Sequence, residues 1–297
     1  MSKAAKFFII CGIVCVVGLG LTIGGFAAGG LKGLDKVAEK YDWMEGSPGN
    51  MQVETIEATE DFTSIEQDGN VDLVLIGDDM LGNADAFMPK AVAKVLEETN
   101  ITPGTAIVAW GENVNEPYVR TEEGVLKITG KDTDGQVQLN FTPEEVTPTV
   151  VVYCGDMELE NLAIDNTYGD VGILGVCAKA ANINSESGEI YTEMFTTEAL
   201  TVYGETADME LSGTFKGVTV IENVDGDVEI DTVLNQNEYG LKLQALSGDI
   251  EINDGDIEID DVPAKYEASG GPNQLNIKTG SGDIDITFGL LTSATFC

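Results

Sequence analysis

One short phrase recurs along the second half of the chain: a turn residue, an acid, then two apolar residues separated by one other residue. It begins at Gly155, Gly169, Gly188, Ala207, Gly226, Gly248 and Gly282, and an extra copy begins at Gly255. Its acids are Asp156, Asp170, Glu189, Asp208, Asp227, Asp249 and Asp283. Carboxylates at regular spacing allow two kinds of chemistry. Oxygen ligands gathered on one face can hold calcium. A pair of carboxyl groups at the right separation can hydrolyse a glycosidic bond. The acids are densest at Asp225 and Asp227 and again at Asp254 and Asp256, and these four are the calcium candidates. They lack the spacing of a helix–loop–helix calcium site. The competing reading is a solvated face, with Asp favoured beside turns.

Composition removes other chemistries. The 297 residues hold 52 Asp+Glu against 15 Lys+Arg and no histidine, for a net charge of −37. Imidazole catalysis and imidazole metal ligation are impossible. A nucleic-acid partner is not expected, because such binding needs a basic face. Residues 151–290 carry five lysines (Lys179, Lys216, Lys242, Lys265 and Lys278) and no arginine, so the field there repels polyanionic substrates. No catalytic residue and no cofactor is assigned, and the chain reads as a non-enzyme. Cys154 and Cys177 read as small apolar residues of the core, a bridge between them being the alternative. Tyr153, Tyr168, Tyr191, Tyr203, Tyr239 and Tyr266 line either the corners of the fold or a sugar-binding face.

The elements that must position these residues follow from spacing. Four successive phrase starts, at 169, 188, 207 and 226, are 19 residues apart. In a strand the acids of a phrase share one face and its apolar residues the other. One short strand phrase per repeat of about 20 residues signals a solenoid. Coils stacked about 4.8 Å apart bring the apolar residues into one core and the acids into one column. A second strand is visible in each period, at residues 199–203, 218–221 and 241–243. The fold expected is all-β: a right-handed parallel β-helix or β-solenoid. The rival is a β-sandwich of hairpins, against which the absence of Asn-Gly hairpin turns counts. Residues 84–99 depart from the strand pattern, with Phe87, Ala91, Val95 and Leu96 at helical spacing, so one inserted helix is expected near 88–99.

At the N-terminus, residues 7–31 contain no charge and are long enough to cross a bilayer as a helix. The organisation expected is a cytoplasmic tail (1–6), a transmembrane helix (7–31) and a juxtamembrane linker (32–50). An N-terminal β region (51–150) follows, then the solenoid repeats (151–288) and a tail (289–297). Lys3 and Lys6 favour an extracytoplasmic C-terminal domain at the cell membrane. Gly20 with Gly24 and Gly25 with Gly29 allow weak self-association of the span.

The phrases Ser247-Gly248-Asp249-Ile250 and Ser281-Gly282-Asp283-Ile284 resemble those of the bacterial putative-adhesin family, over roughly residues 56–288. The resemblance implies a β-strand-repeat domain of the cell envelope, often behind one membrane helix, with no established catalytic residues. It raises the expectation of surface interaction with a ligand that the sequence does not identify. The helix near 88–99 and the strong acidity depart from that pattern.

Overall fold

The structure, a computed structural model, describes residues 51–58, 60–82, 88, 90–98, 101–111, 116–130, 147–253 and 255–289. The expected tail, membrane span and juxtamembrane linker lie outside the described residues, as does nearly all of the 289–297 tail. Among the described residues no helix is long and apolar enough to cross a membrane.

Among the described residues there are seventeen strands and one α-helix. The strands are β1 (Met51–Glu57), β2 (Ser64–Asp68), β3 (Asp72–Gly77), β4 (Thr105–Gly111), β5 (Tyr118–Glu122), β6 (Val125–Thr129), β7 (Thr149–Gly155), β8 (Glu158–Tyr168) and β9 (Val171–Leu174). Next come β10 (Cys177–Asp225), β11 (Val228–Thr232), β12 (Tyr239–Ala245), β13 (Ile250–Ile252), β14 (Ile257–Ile259), β15 (Ala264–Ala268), β16 (Asn273–Ser281) and β17 (Ile284–Phe288). The helix expected near 88–99 is α1 (Lys90–Glu98).

Alternation along each strand turns apolar residues inward, as in the buried–exposed–buried run of β13. The 19-residue period becomes parallel register: Cys177 lies beside Glu158, Ile190 beside Val171 and Val228 beside Met209. Within β10 neighbouring coils are also joined at an offset of 20 residues, by Ser212 N–H to Thr192 Oγ1 (3.0 Å) and Thr206 Oγ1 to Glu186 O (3.0 Å). Stacking makes two columns of strands. One runs β1–β4–β7–β3–β9–β10–β11–β17–β13–β14. The other runs β5–β6–β2–β8–β10–β16–β12–β15. The core between them is one continuous cluster, with the Phe195 and Phe215 rings edge to face at 6.5 Å. This is an all-β, solenoid-like stack. The hairpin sandwich fails because pairing through the middle is parallel, and antiparallel strands stand only at the two ends.

Spatial order departs from chain order at both ends. The coil of β2 and β3 lies between the coil of β6 and β7 and the coil of β8 and β9. The last coil, β16 and β17, lies between residues 218–232 and the coil of β12 and β13. Antiparallel strands β1, β4 and β5 close one end, and β14 and β15 close the other, which blunts the open edges. The phrase at Gly255 is therefore no coil. Its strand β14 folds back on β13 as an end hairpin.

Candidate functional site

The acids of the repeat form a hydrogen-bonded column. Five carboxylates, those of Asp72, Asp170, Asp208, Asp227 and Asp283, reach along the stack to the next backbone. Asp170 N–H donates to Asp72 Oδ1 (3.1 Å), and Glu189 N–H to Asp170 Oδ1 (2.9 Å). A second run follows: Asp227 N–H to Asp208 Oδ1 (3.1 Å), Asp283 N–H to Asp227 Oδ1 (2.8 Å) and Asp249 N–H to Asp283 Oδ1 (2.8 Å). Between Glu189 and Asp208 the chain of bonds stops. Glu189 is the one glutamate among these acids, and its side chain is one methylene longer than that of Asp.

The turn glycine makes the close approach possible. Gly226 has φ +123°, and a Cβ there would strike the carbonyl oxygen of Ala207 on the coil below. Three residues before the turn, an inward polar side chain caps the carbonyls that the bend exposes. Asn166 Nδ2 donates to Gly169 O (2.8 Å) and Val71 O (3.1 Å), and Asn223 Nδ2 to Ala207 O (2.7 Å) and Gly226 O (3.0 Å). Ser185 Oγ does this for Ser187 O (3.4 Å) and Thr279 Oγ1 for Ser281 O (3.2 Å). Sequence reasoning missed these residues. Their signal is a polar residue three places before Gly169, Gly188, Gly226 and Gly282, on the face that is otherwise apolar; before Gly248 the position holds Ala245.

The column corrects the sequence in two places. Asp156 is not part of it. It follows Gly155, which pairs with Gly77 at the far end of β3 and β7, so Asp156 sits at a different corner. Its place is taken by Asp72, which no copy of the phrase announces. Asp72 is also the most perturbed carboxyl of the set. Burial pushes its pKa up to about 7; the bond from Asp170 N–H partly offsets this, and the nearby Asp170 charge adds to it.

A second acidic row lies two residues further along the same strands. Glu258, Glu251, Asp285, Glu229 and Glu210 are side by side and exposed. Desolvation, then Glu251, Asp283, Glu229 and Asp227, raises the pKa of Asp285. Desolvation, then Glu210 and Asp231, does the same for Glu229. Past Glu210 this outward row turns apolar through Tyr191, Gly172, Val74, Val151 and Ile107. Helix α1 covers that half, with Val92 fully buried and Val95 and Leu96 partly buried against Val74, Val151 and Ile107.

Of the calcium candidates, the described ones lie in two places. Asp225 and Asp227 flank the turn before β11, and Asp227 already accepts from Asp283. Asp256 sits in the β13–β14 hairpin, at the opposite end of its strands, and Asp254 is outside the described residues. Among the described residues no group of three or more Asp, Glu or Cys is placed to hold a metal ion. The tyrosines do not share one face. Tyr239 is fully buried, its hydroxyl donating to Phe215 O at 2.8 Å, while Tyr168 and Tyr203 are exposed. The cysteine expectation holds for one residue and fails for the other. Cys154 is a buried free thiol whose pKa burial pushes up to about 12, which makes it unreactive. Cys177 is disulfide-bonded, so it is not apolar filler, and it is not bridged to Cys154.

Residues 98–287 match the family described as Toastrack DUF4097. The chain belongs to the Toastrack DUF4097 family. The resemblance drawn from the Ser-Gly-Asp-Ile phrases to the putative-adhesin family agrees with it. No curated protein matches the chain. Solved structures similar to this Toastrack chain include a putative cell adhesion protein from Clostridium sporogenes, with 14% identity over 80% of this chain and 98% of that one and a TM-score of 0.38. A putative adhesin from Bacteroides fragilis shares 13% identity over 80% and 97% of the two chains, with a TM-score of 0.40. A putative lipid binding protein from Parabacteroides distasonis shares 14% over 81% and 97%, with a TM-score of 0.36. At these scores the likenesses carry no inference about activity.

Proposed function

We propose that this Toastrack protein is a membrane-anchored module of the bacterial cell surface that acts by non-enzymatic interaction or adhesion. The observation that supports it best is the use made of the repeated acids. They accept backbone N–H groups from coil to coil, so the feature most suggestive of chemistry in the sequence serves the stack. The residue types it leaves outward make a display surface of high negative charge. The anchor is residues 7–31, the β domain lies outside the cytoplasmic membrane, and the coils wind in the right-handed sense of a parallel β-helix.

Protease accessibility of the β domain on intact against lysed cells tests the location. Digestion on intact cells is the expected result. Protection until lysis would sink the surface reading and leave a regulatory accessory at the inner membrane face. That second reading places the partner at α1, and the burial of the helix's apolar side against Val74 and Val151 weighs against it. A third reading, a calcium-dependent surface protein, predicts a melting midpoint that rises with millimolar calcium.

A further inference from the structure

At the end closed by β14 and β15 the stack carries an open cleft of about 760 Å³, within the range of small-ligand sites. Asn235, Gln236, Asn237, Asn253, Ser269 and the half-buried ring of Phe288 supply its walls. Tyr239 lies beneath, its ring 5.5 Å from that of Phe288 and its hydroxyl turned inward to Phe215 O. Among the described residues none that lines the cleft is an acid or a base. In a chain of net charge −37 that is a departure.

The amides are held in place. Asn235 Nδ2 donates to Glu238 Oε2 (3.2 Å), and Asn253 Nδ2 to Gln236 Oε1 (3.3 Å). Asn253 Oδ1 accepts Phe288 N–H (3.1 Å), and the loop is pinned where Gly271 N–H donates to Asn237 O (3.0 Å). Gln236 Nε2 and the whole side-chain amide of Asn237 have no protein partner among the described residues. An amide offers a donor and an acceptor side by side, which matches paired hydroxyl groups. A ring face beside them suits the C–H face of a sugar. Among the described residues of the lining a cation finds no carboxylate, and an anion meets the field of the surrounding acids.

We propose that this cleft binds an uncharged glycan. The proposal deepens the interaction reading above and rests on it only for where the ligand is met. The test is titration calorimetry on the full-length chain in lipid nanodiscs. The probes are neutral hexasaccharides (cellohexaose, maltohexaose and chitohexaose), with hexagalacturonate as the anionic probe. At least one neutral probe binds and the anionic one does not. Asn237→Ala and Gln236→Ala each weaken binding about tenfold, the loss of roughly one hydrogen bond. Asn237 is exposed, so its variant keeps the wild-type melting midpoint. The site is overturned if no neutral probe binds, if both variants bind like wild type, or if hexagalacturonate binds as well as the neutral probes. Calorimetry does not depend on cellular location, so a cytoplasmic domain would leave a positive result standing. An external domain that binds none of the probes would remove the cleft alone.

Discussion

At the residue scale, an aspartate in this fold acts mainly as a backbone acceptor, and its charge is the cost. Asp72 shows the cost most clearly. Its pKa is raised to about 7 in the folded chain, above its value of 3.8 in the unfolded one. Between those values the native state binds more protons than the unfolded state, so stability falls as pH rises through this window. Asp285 and Glu229 are raised too, and push in the same direction. Urea melts from pH 4 to pH 8 should show wild-type stability declining toward pH 8, with a shallower decline in Asp72→Asn. An identical slope in the variant would mean that Asp72 titrates as an ordinary surface carboxyl. Asp72 was not legible in the sequence. Its partner Asp170 lies 98 residues away, and α1 with β4 to β7 interrupts the period between them.

At the element scale, the joint between two coils is two strand ladders, one in each column, plus one carboxylate. Asp227 joins the coil of β11 to that of β17 by accepting Asp283 N–H at 2.8 Å. Asp227→Ala removes that acceptor and should destabilise by about 1–2 kcal/mol, the usual cost of an orphaned donor. Asp227→Asn keeps an oxygen in place and removes one charge from the crowd around Asp285, so it should be neutral or stabilising. Chemical denaturation of both variants separates the two roles. Equal destabilisation would show that the charge itself matters. The coil and its 19-residue register were legible because every copy repeats locally. Which coil neighbours which was not, since Gly226, Gly248 and Gly282 carry the same phrase while space orders them 226, 282, 248. The phrase at Gly255 reads like a coil for the same reason. Alternation records which side of a strand is buried but not the direction of its partner.

At the scale of the whole molecule, self-repulsion is the dominant electrostatic fact. Charges exposed along a face 4.8 Å apart repel by roughly 0.9 kcal/mol per neighbouring pair in water, and salt screens them. The melting midpoint should therefore rise between 20 mM and 500 mM sodium chloride. Calcium chloride at matched ionic strength should add nothing further if no site holds the ion. An additional rise with calcium would revive Asp225, Asp227, Asp254 and Asp256 as ligands. The charge imbalance behind this behaviour is already present in the composition. Composition did not announce the uncharged cleft, because the run Asn235-Gln236-Asn237 is joined there by Asn253 and Ser269 from two other segments, and the three pieces form no motif.

The order of coils also governs how the chain can be made. A rack stacked in chain order could grow rung by rung as the polypeptide leaves the ribosome. Here β16 and β17 slide between two rungs that were synthesised earlier. Residues 218–252 must therefore stay open, or reopen, until the last coil arrives. A protein ending near residue 270 loses an interior rung, with strands on both sides left unpaired. Nascent chains arrested there should be protease-sensitive across both flanks of the gap, and the emergence of β16 and β17 is what closes it.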